Sequence, residues 1–147
     1  MDYSSAETLF KNTVQKGSVF YFVEDTFETD RPHFFVVLND DPKNEKILIL
    51  VCAVTLSVKV AFLYEKFKYL RETMVDVTPS LCSFLKHPSI FNCNSPIEKS
   101  FLVFIDKLKD GKLKHVGEVN QELLSKLRDG VLASPLVTKE CKKLLSK

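Results

Sequence analysis

The chain has 147 residues, 45% hydrophobic and 27% charged, which suits one domain with a buried core and excludes a disordered chain. A formal charge of +2 excludes a field that would hold a polyanion over the whole surface, so a nucleic-acid site would have to be a local groove. Residues 1–18 lack the apolar centre of a signal peptide, the longest apolar run is too short for a bilayer, and the irregularly spaced cysteines suit reduced thiols, which sets the expectation of a cytoplasmic chain with no membrane partner.

Residues 4–15 have the pattern of an amphipathic helix, with Ser4 as its cap, Glu7 three residues on, and Gly17 as its stop. VFYFV at 19–23 is a β-rich run, and the acidic stretch 24–30 reads as a loop. FFVVL at 34–38, just after Arg31-Pro32, reads as a second strand. Asn39-Asp40-Asp41-Pro42 is turn chemistry, and 47–55 is a third strand whose unbroken apolar run predicts burial on both faces. Residues 60–76 fit either a helix or a strand, with a strand favoured at 74–78. The stretch 80–95 around Pro88 reads as irregular, FLVFI at 101–105 as another strand, and 107–114 as a turn around Asp110-Gly111 with His115 beside it. Asn120 caps a helix running to Ala133, with Leu123, Leu124, Leu127 and Val131 on its apolar face. Ser134-Pro135 has the form of a cap followed by proline and would open a last helix. The pattern predicts a single α+β domain, mainly β. Residues 1–16 are its N-terminal helix, 17–116 an antiparallel meander or small barrel with an irregular insert, and 117–147 its C-terminal helices.

His33 follows Arg31 by two residues, so an extended strand would point both to one side, where an imidazole can move protons near neutral pH. Lys86, His87 and Ser89 form a polar cluster able to line a phosphate surface. Each of these residues also reads as an ordinary solvated side chain. Cys82, His87 and Cys93 do not have zinc-ligand spacing, no glycine loop cradles phosphate, and no cofactor or metal is expected. LYEKFKYLR at 63–71 and DKLKDGKLKH at 106–115 mix basic with aromatic or apolar residues. They fit a nucleic-acid groove, or amphipathic faces that keep charge in water.

Three pieces in order, GSVFYFV from Gly17, DRPHFFVVLN from Asp30 and ILVCAVTLSVK ending at Lys59, resemble the MazF/PemK family of toxin ribonucleases. The resemblance implies an SH3-like antiparallel barrel with appended helices, forming a homodimer restrained by an antitoxin protein. It implies cleavage of single-stranded RNA without a metal, the ribose 2′-OH attacking the adjacent phosphate to leave a 2′,3′-cyclic phosphate and a 5′-OH. It carries the family's active-site arginine and threonine onto Arg31 and Thr55. His33 joins them as a catalytic candidate, and Ser57, Lys59, Lys86, His87 and Ser89 are the RNA-binding candidates. The chemistry suits these side chains: a fixed guanidinium can meet phosphoryl charge with paired hydrogen bonds, and a hydroxyl can orient the nucleophile. The loop 24–30 departs from the family in having no glycine and carrying Glu24, Asp25, Glu28 and Asp30, and residues 66–100 lack the family's acidic-Gln strand motif. These departures favour the alternative reading, a non-catalytic SH3-like module that binds protein or nucleic acid.

Overall fold

In the computed structural model, which describes residues 1–55 and 57–146, the three apolar runs of the N-terminal half pair as an antiparallel meander. They are β1 (Ser18–Phe22), β2 (His33–Val37) and β3 (Ile47–Val54). The outer edge of β1 takes β7 (Lys114–Glu118). The other edge of β3 takes two short strands in line, β6 (Ile97–Ser100) against Ile47 to Leu50 and β5 (Ser89–Asn92) against Ala53 and Val54, interrupted at 93–96. Beyond β5 lies β4 (Met74–Val77). The path β4-β5-β3-β2-β1-β7 is open at both ends, so among the described residues the architecture is a mainly antiparallel α+β sheet without a closing ladder.

Strand alternation feeds two cores, one on each face of the meander. Val36, Leu38, Ile49 and Val51 face α4 (Gln121–Ala133) through Leu123, Leu124, Leu127 and Val131. Phe20, Phe22, Phe35, Leu48 and Leu50 face the opposite way, toward Phe10 of α1 (Tyr3–Thr13) and Phe101, Phe104 and Ile105 of α3 (Phe101–Lys109). β3 is therefore covered on both faces, as its apolar run predicts. Phe10 stacks on Phe104 with ring centroids 5.3 Å apart and meets Phe20 at 5.5 Å. Cutting such a ring back to alanine costs about 3–5 kcal/mol. A third, smaller core joins Leu63 and Phe67 to Met74 and Ile90, beneath α2 (Ser57–Lys66).

Several local expectations are corrected. Asp2 rather than Ser4 caps α1, its carboxylate accepting from the Ser5 N–H at 2.7 Å. Residues 101–105 are helix, because Phe101, Phe104 and Ile105 also satisfy the i, i+3, i+4 spacing and Ser100 caps the turn. β5 emerges within the stretch read as irregular, with Pro88 just outside its first residue, where no ladder bond is lost. His115 belongs to β7, past a turn in which Gly111 takes φ +72°. The last helix, α5 (Lys139–Leu145), starts later than Ser134 and is capped by Thr138. The buried Ser134 hydroxyl instead donates to Asn94 Oδ1 at 2.7 Å. The α4 cap is as expected, with Asn120 accepting from the Leu123 N–H at 2.8 Å. Within α4, a Cβ on Gly130 would lie 2.8 Å from Cys93 Sγ, so the glycine admits the close approach of this helix to the break between β5 and β6.

Candidate functional site

The antiparallel order brings the end of β1, the start of β2, the end of β3, the end of β4 and the start of β5 to one end of the sheet. Phe22 lies opposite His33, Ile90 opposite Val54, and Val77 opposite Ser89. Carried three residues past the last β2–β3 pair and one past the last β3–β5 pair, the registers lead Thr55 toward Pro32 on the β2 side and Ser89 on the β5 side. Arg31 adjoins Pro32, Lys86 and His87 lead into Ser89, and α2 departs just after Thr55. Arg31, His33, Thr55, Lys86, His87 and Ser89 thus lie at or beside strand ends on this one end of the sheet, with Lys59 in the first turn of α2. The Ser57 side chain lies outside the described residues.

Arg31 and Thr55 are both exposed and lie just past their strands, where strict alternation stops. No hydrogen bond or ion pair joins them among the described residues. The Arg31 backbone N–H donates to Thr29 Oγ1 at 3.1 Å, a local turn that fixes the chain as it enters Pro32.

The acidic loop is disarmed on one side. Glu24 is only 2% exposed and its carboxylate meets Lys99 Nζ of β6 at 2.7 Å, while the Thr26 hydroxyl donates to it at 2.6 Å. Burial alone would raise the Glu24 pKa; the bond from Lys99, the bond from Thr26 and the charges of Lys99 and Lys107 more than reverse this and hold it below the usual value. Lys107 of α3 reaches Asp25 at 3.8 Å, donates to the Val23 carbonyl at 3.2 Å, and sits 5.4 Å over the Phe22 ring. Two of the loop's acids are therefore matched by lysines from distant elements, and among the described residues none pairs with Arg31. Lys99 escaped the sequence reading, and Lys107 entered it only within the basic segment 106–115, not as a partner of the acidic loop. Their one signal was charge placed beside apolar β6 and α3 residues, where an unpaired lysine would be costly.

His33 is half-buried, with its ring edge-on to Phe27 at 5.3 Å. Its Nδ1 is buried without a hydrogen-bond partner. Desolvation lowers its pKa, the Arg31 backbone opposes this, and the Lys59 ammonium adds a smaller lowering. The imidazole is thus biased toward its neutral form, which can accept a proton. The same ammonium acts on Cys52, whose thiol burial pushes up to about 12, Lys59 opposing and Glu24 reinforcing the shift. Lys59, in the first turn of α2, is therefore electrostatically part of this end of the sheet, whereas Cys52 is an unreactive packed thiol.

Lys86 and His87 are exposed, but Ser89 is buried and its hydroxyl donates to the His87 carbonyl at 2.9 Å. Phe84 packs on Phe34 with centroids 5.1 Å apart, and Leu85 is buried. The Lys86-His87 turn is thereby fastened at both of its ends.

No family model and no curated protein matches the chain. Among solved structures, its fold is similar to that of a chain in an endoribonuclease in complex with its cognate antitoxin from a mycobacterial species. The TM-score is 0.51, identity is 12%, and the match covers 86% of this chain and 97% of that one. The likeness is one of fold and spans nearly the whole of that chain rather than a single hairpin. Among the described residues, no helix is long and apolar enough to cross a membrane.

Proposed function

We propose that the chain is a toxin-type endoribonuclease of the MazF/PemK kind, cutting single-stranded RNA at this end of the sheet. One observation supports the reading above the others: Arg31 just before β2 and Thr55 just after β3 stand exposed at the same end of the sheet, while the buried Glu24 is neutralised by Lys99. In the proposed reaction the ribose 2′-OH attacks the adjacent phosphorus and its proton passes to neutral His33. The P–O2′ bond forms as the P–O5′ bond breaks, O5′ takes a proton from solvent water and leaves as a 5′-OH, and His33 later returns its proton to solvent. Arg31 stabilises charge on the non-bridging oxygens, and the Thr55 hydroxyl orients the nucleophile. Lys59, Lys86 and His87 hold flanking phosphates at the α2 start where Ser57 lies, and Ser89 keeps the His87 turn in place. The reaction needs no metal ion. The fold neighbour's antitoxin supports an antitoxin partner here, and the functional unit in this reading is a homodimer in the cytoplasm.

The test is purified protein with labelled single-stranded RNAs of mixed sequence, in EDTA. Cyclic-phosphate and 5′-OH ends that vanish in Arg31→Ala are the expected result. Loss of cleavage on chelation would reject the metal-free mechanism. A second reading, a non-catalytic binding module, is favoured by Glu28 and Asp30, which are exposed next to Arg31 in the chain and would repel phosphate. Absence of cleavage in every context, with retained binding of RNA or protein, would select it.

A further inference from the structure

The exposed face of α2 and the turn after it carry an unusual load of apolar surface. Val58 is 83% exposed, Phe62 60% and Tyr69 87%. Val58 and Phe62 are one helical step apart on α2, and Tyr69 lies in the turn that follows it. The opposite face is pinned. Leu63 and Phe67 are buried against Met74 and Ile90, the Tyr64 hydroxyl donates to the Asp76 carboxylate, and the Arg71 guanidinium lies 5.1 Å over the Tyr64 ring. The helix is therefore fixed to the sheet while its outer rings stay free. Each ring carries a lysine over one face: Lys66 Nζ lies 5.9 Å from the Phe62 centroid and Lys68 Nζ lies 5.3 Å from that of Tyr69. Glu65, the acid among them, is already engaged by Lys68 at 3.3 Å.

We propose that this strip is a base-stacking arm: Val58, Phe62 and Tyr69, fringed by Lys59, Lys66 and Lys68, receive the nucleotides of single-stranded RNA that flank the scissile phosphate. The proposal rests on the ribonuclease reading above. Solvent-exposed rings can stack on any base, and lysines beside them can follow the backbone, which is the combination that sequence-tolerant single-strand binding uses. The strip is also continuous with the site, since α2 begins just past Thr55 and its first-turn Lys59 acts on His33. RNA leaving the phosphate position past Thr55 meets Lys59 first and the rings next.

The experiment measures binding of a fluorescein-labelled, fully 2′-O-methylated single-stranded RNA, which lacks the attacking hydroxyl, by anisotropy. Phe62→Ala with Tyr69→Ala should weaken binding by about 10- to 100-fold, while Phe62→Tyr with Tyr69→Phe should stay close to wild type. In the intact protein, 4-thiouridine RNA should crosslink to Phe62 or Tyr69. An alanine pair that binds RNA as the wild type does, crosslinks confined to other elements, or loss of self-association or of protein binding at unchanged RNA affinity would each overturn the arm. Failure of the arm and failure of the nuclease reading separate cleanly. Wild-type protein that neither binds nor cuts RNA removes both, whereas wild-type cleavage with an unchanged KM in the alanine pair removes the arm alone.

Discussion

Two walls flank the candidate site, and they are held by opposite means. The wall on the β1–β2 side, residues 23–32, is tied down by charge: Glu24 to Lys99, Asp25 and the Val23 carbonyl to Lys107. The wall on the β5 side, residues 84–89, is tied down by packing of Phe84 and Leu85 and by one inward hydroxyl, that of Ser89. The difference teaches where each wall is vulnerable. A charged tie in a dry site fails abruptly when one partner is removed, because the other charge is left desolvated. An apolar tie with a single neutral hydrogen bond fails gradually.

The largest effect should come from cutting the charged tie. Lys99→Met leaves the Glu24 carboxylate buried and unpaired, and should cost about 3–5 kcal/mol of stability, read as a fall in the urea midpoint. Cleavage should fall with it, since the loop that delivers Arg31 loses its anchor. Adding Glu24→Gln should recover most of the stability, because no net charge then remains buried. If the single and double variants are equally unstable, the pair is not the tie.

Arg31→Ala sharpens the contrast from the exposed end of the same wall. Its side chain is in solvent, so the melting temperature should stay near that of the wild type. Cleavage should fall by about 100- to 1,000-fold, the usual cost of one fixed donor to a developing oxyanion, or about 2.7–4 kcal/mol. Arg31→Lys should recover part of this, as a point charge lacks the planar fork. A variant that melts normally and cuts at full rate would remove Arg31 from the mechanism.

Acid should also separate the walls. The folded-state pKa of Glu24 is lowered, so the unfolded chain takes up its proton first as pH falls. The stability it contributes is full above the unfolded carboxylate pKa and is lost as pH drops through the lower folded value. The His33 pKa is lowered as well, so the unfolded state again binds the proton more readily, and acidification below about 6.5 destabilises the fold. In the rate, a His33 base should give an ascending limb with its midpoint below the ordinary histidine value. Glu24→Gln should remove the carboxylate part of the stability profile, and His33→Gln the ascending limb of the rate profile. A rate profile unchanged in His33→Gln would exclude the imidazole as base.

Much of this frame was legible in the sequence. The meander is written as apolar runs separated by turn residues, and β3 announced its double burial through ILILVCAV. α4 carried both its cap and its stripe. Where reading failed, two patterns fitted one string. FLVFI satisfies a strand run and a helical face alike, and only packing of Phe101 and Phe104 on Phe10 decides for the helix. The helix α2 hid among β-branched and aromatic residues whose propensity is overruled by the Leu63 and Phe67 contacts. At the site, the positions of Arg31 and Thr55 were readable because they punctuate strands. The lysines that disarm Glu24 were not, because each partner comes from an element far along the chain, and only the pairing of β6 with β3 brings Lys99 to the loop.

The smallest effect should come from the apolar wall. Ser89→Ala removes the hydroxyl that donates to the His87 carbonyl but leaves Phe84 on Phe34 and Leu85 in the core. Losing one neutral hydrogen bond should lower stability by about 0.5–1.5 kcal/mol, well below the cost of Lys99→Met. The turn that presents Lys86 and His87 would loosen without unfolding. RNA affinity should therefore fall by a small factor, expressed in KM, with kcat retained because Arg31, Thr55 and His33 are untouched. Lys86→Ala should give the same KM effect with no loss of stability, and combining it with Ser89→Ala should add little, since both act through one phosphate contact. Should Ser89→Ala instead cost as much stability as Lys99→Met, or lower kcat, the two walls would be ties of one kind and the contrast between them would not hold.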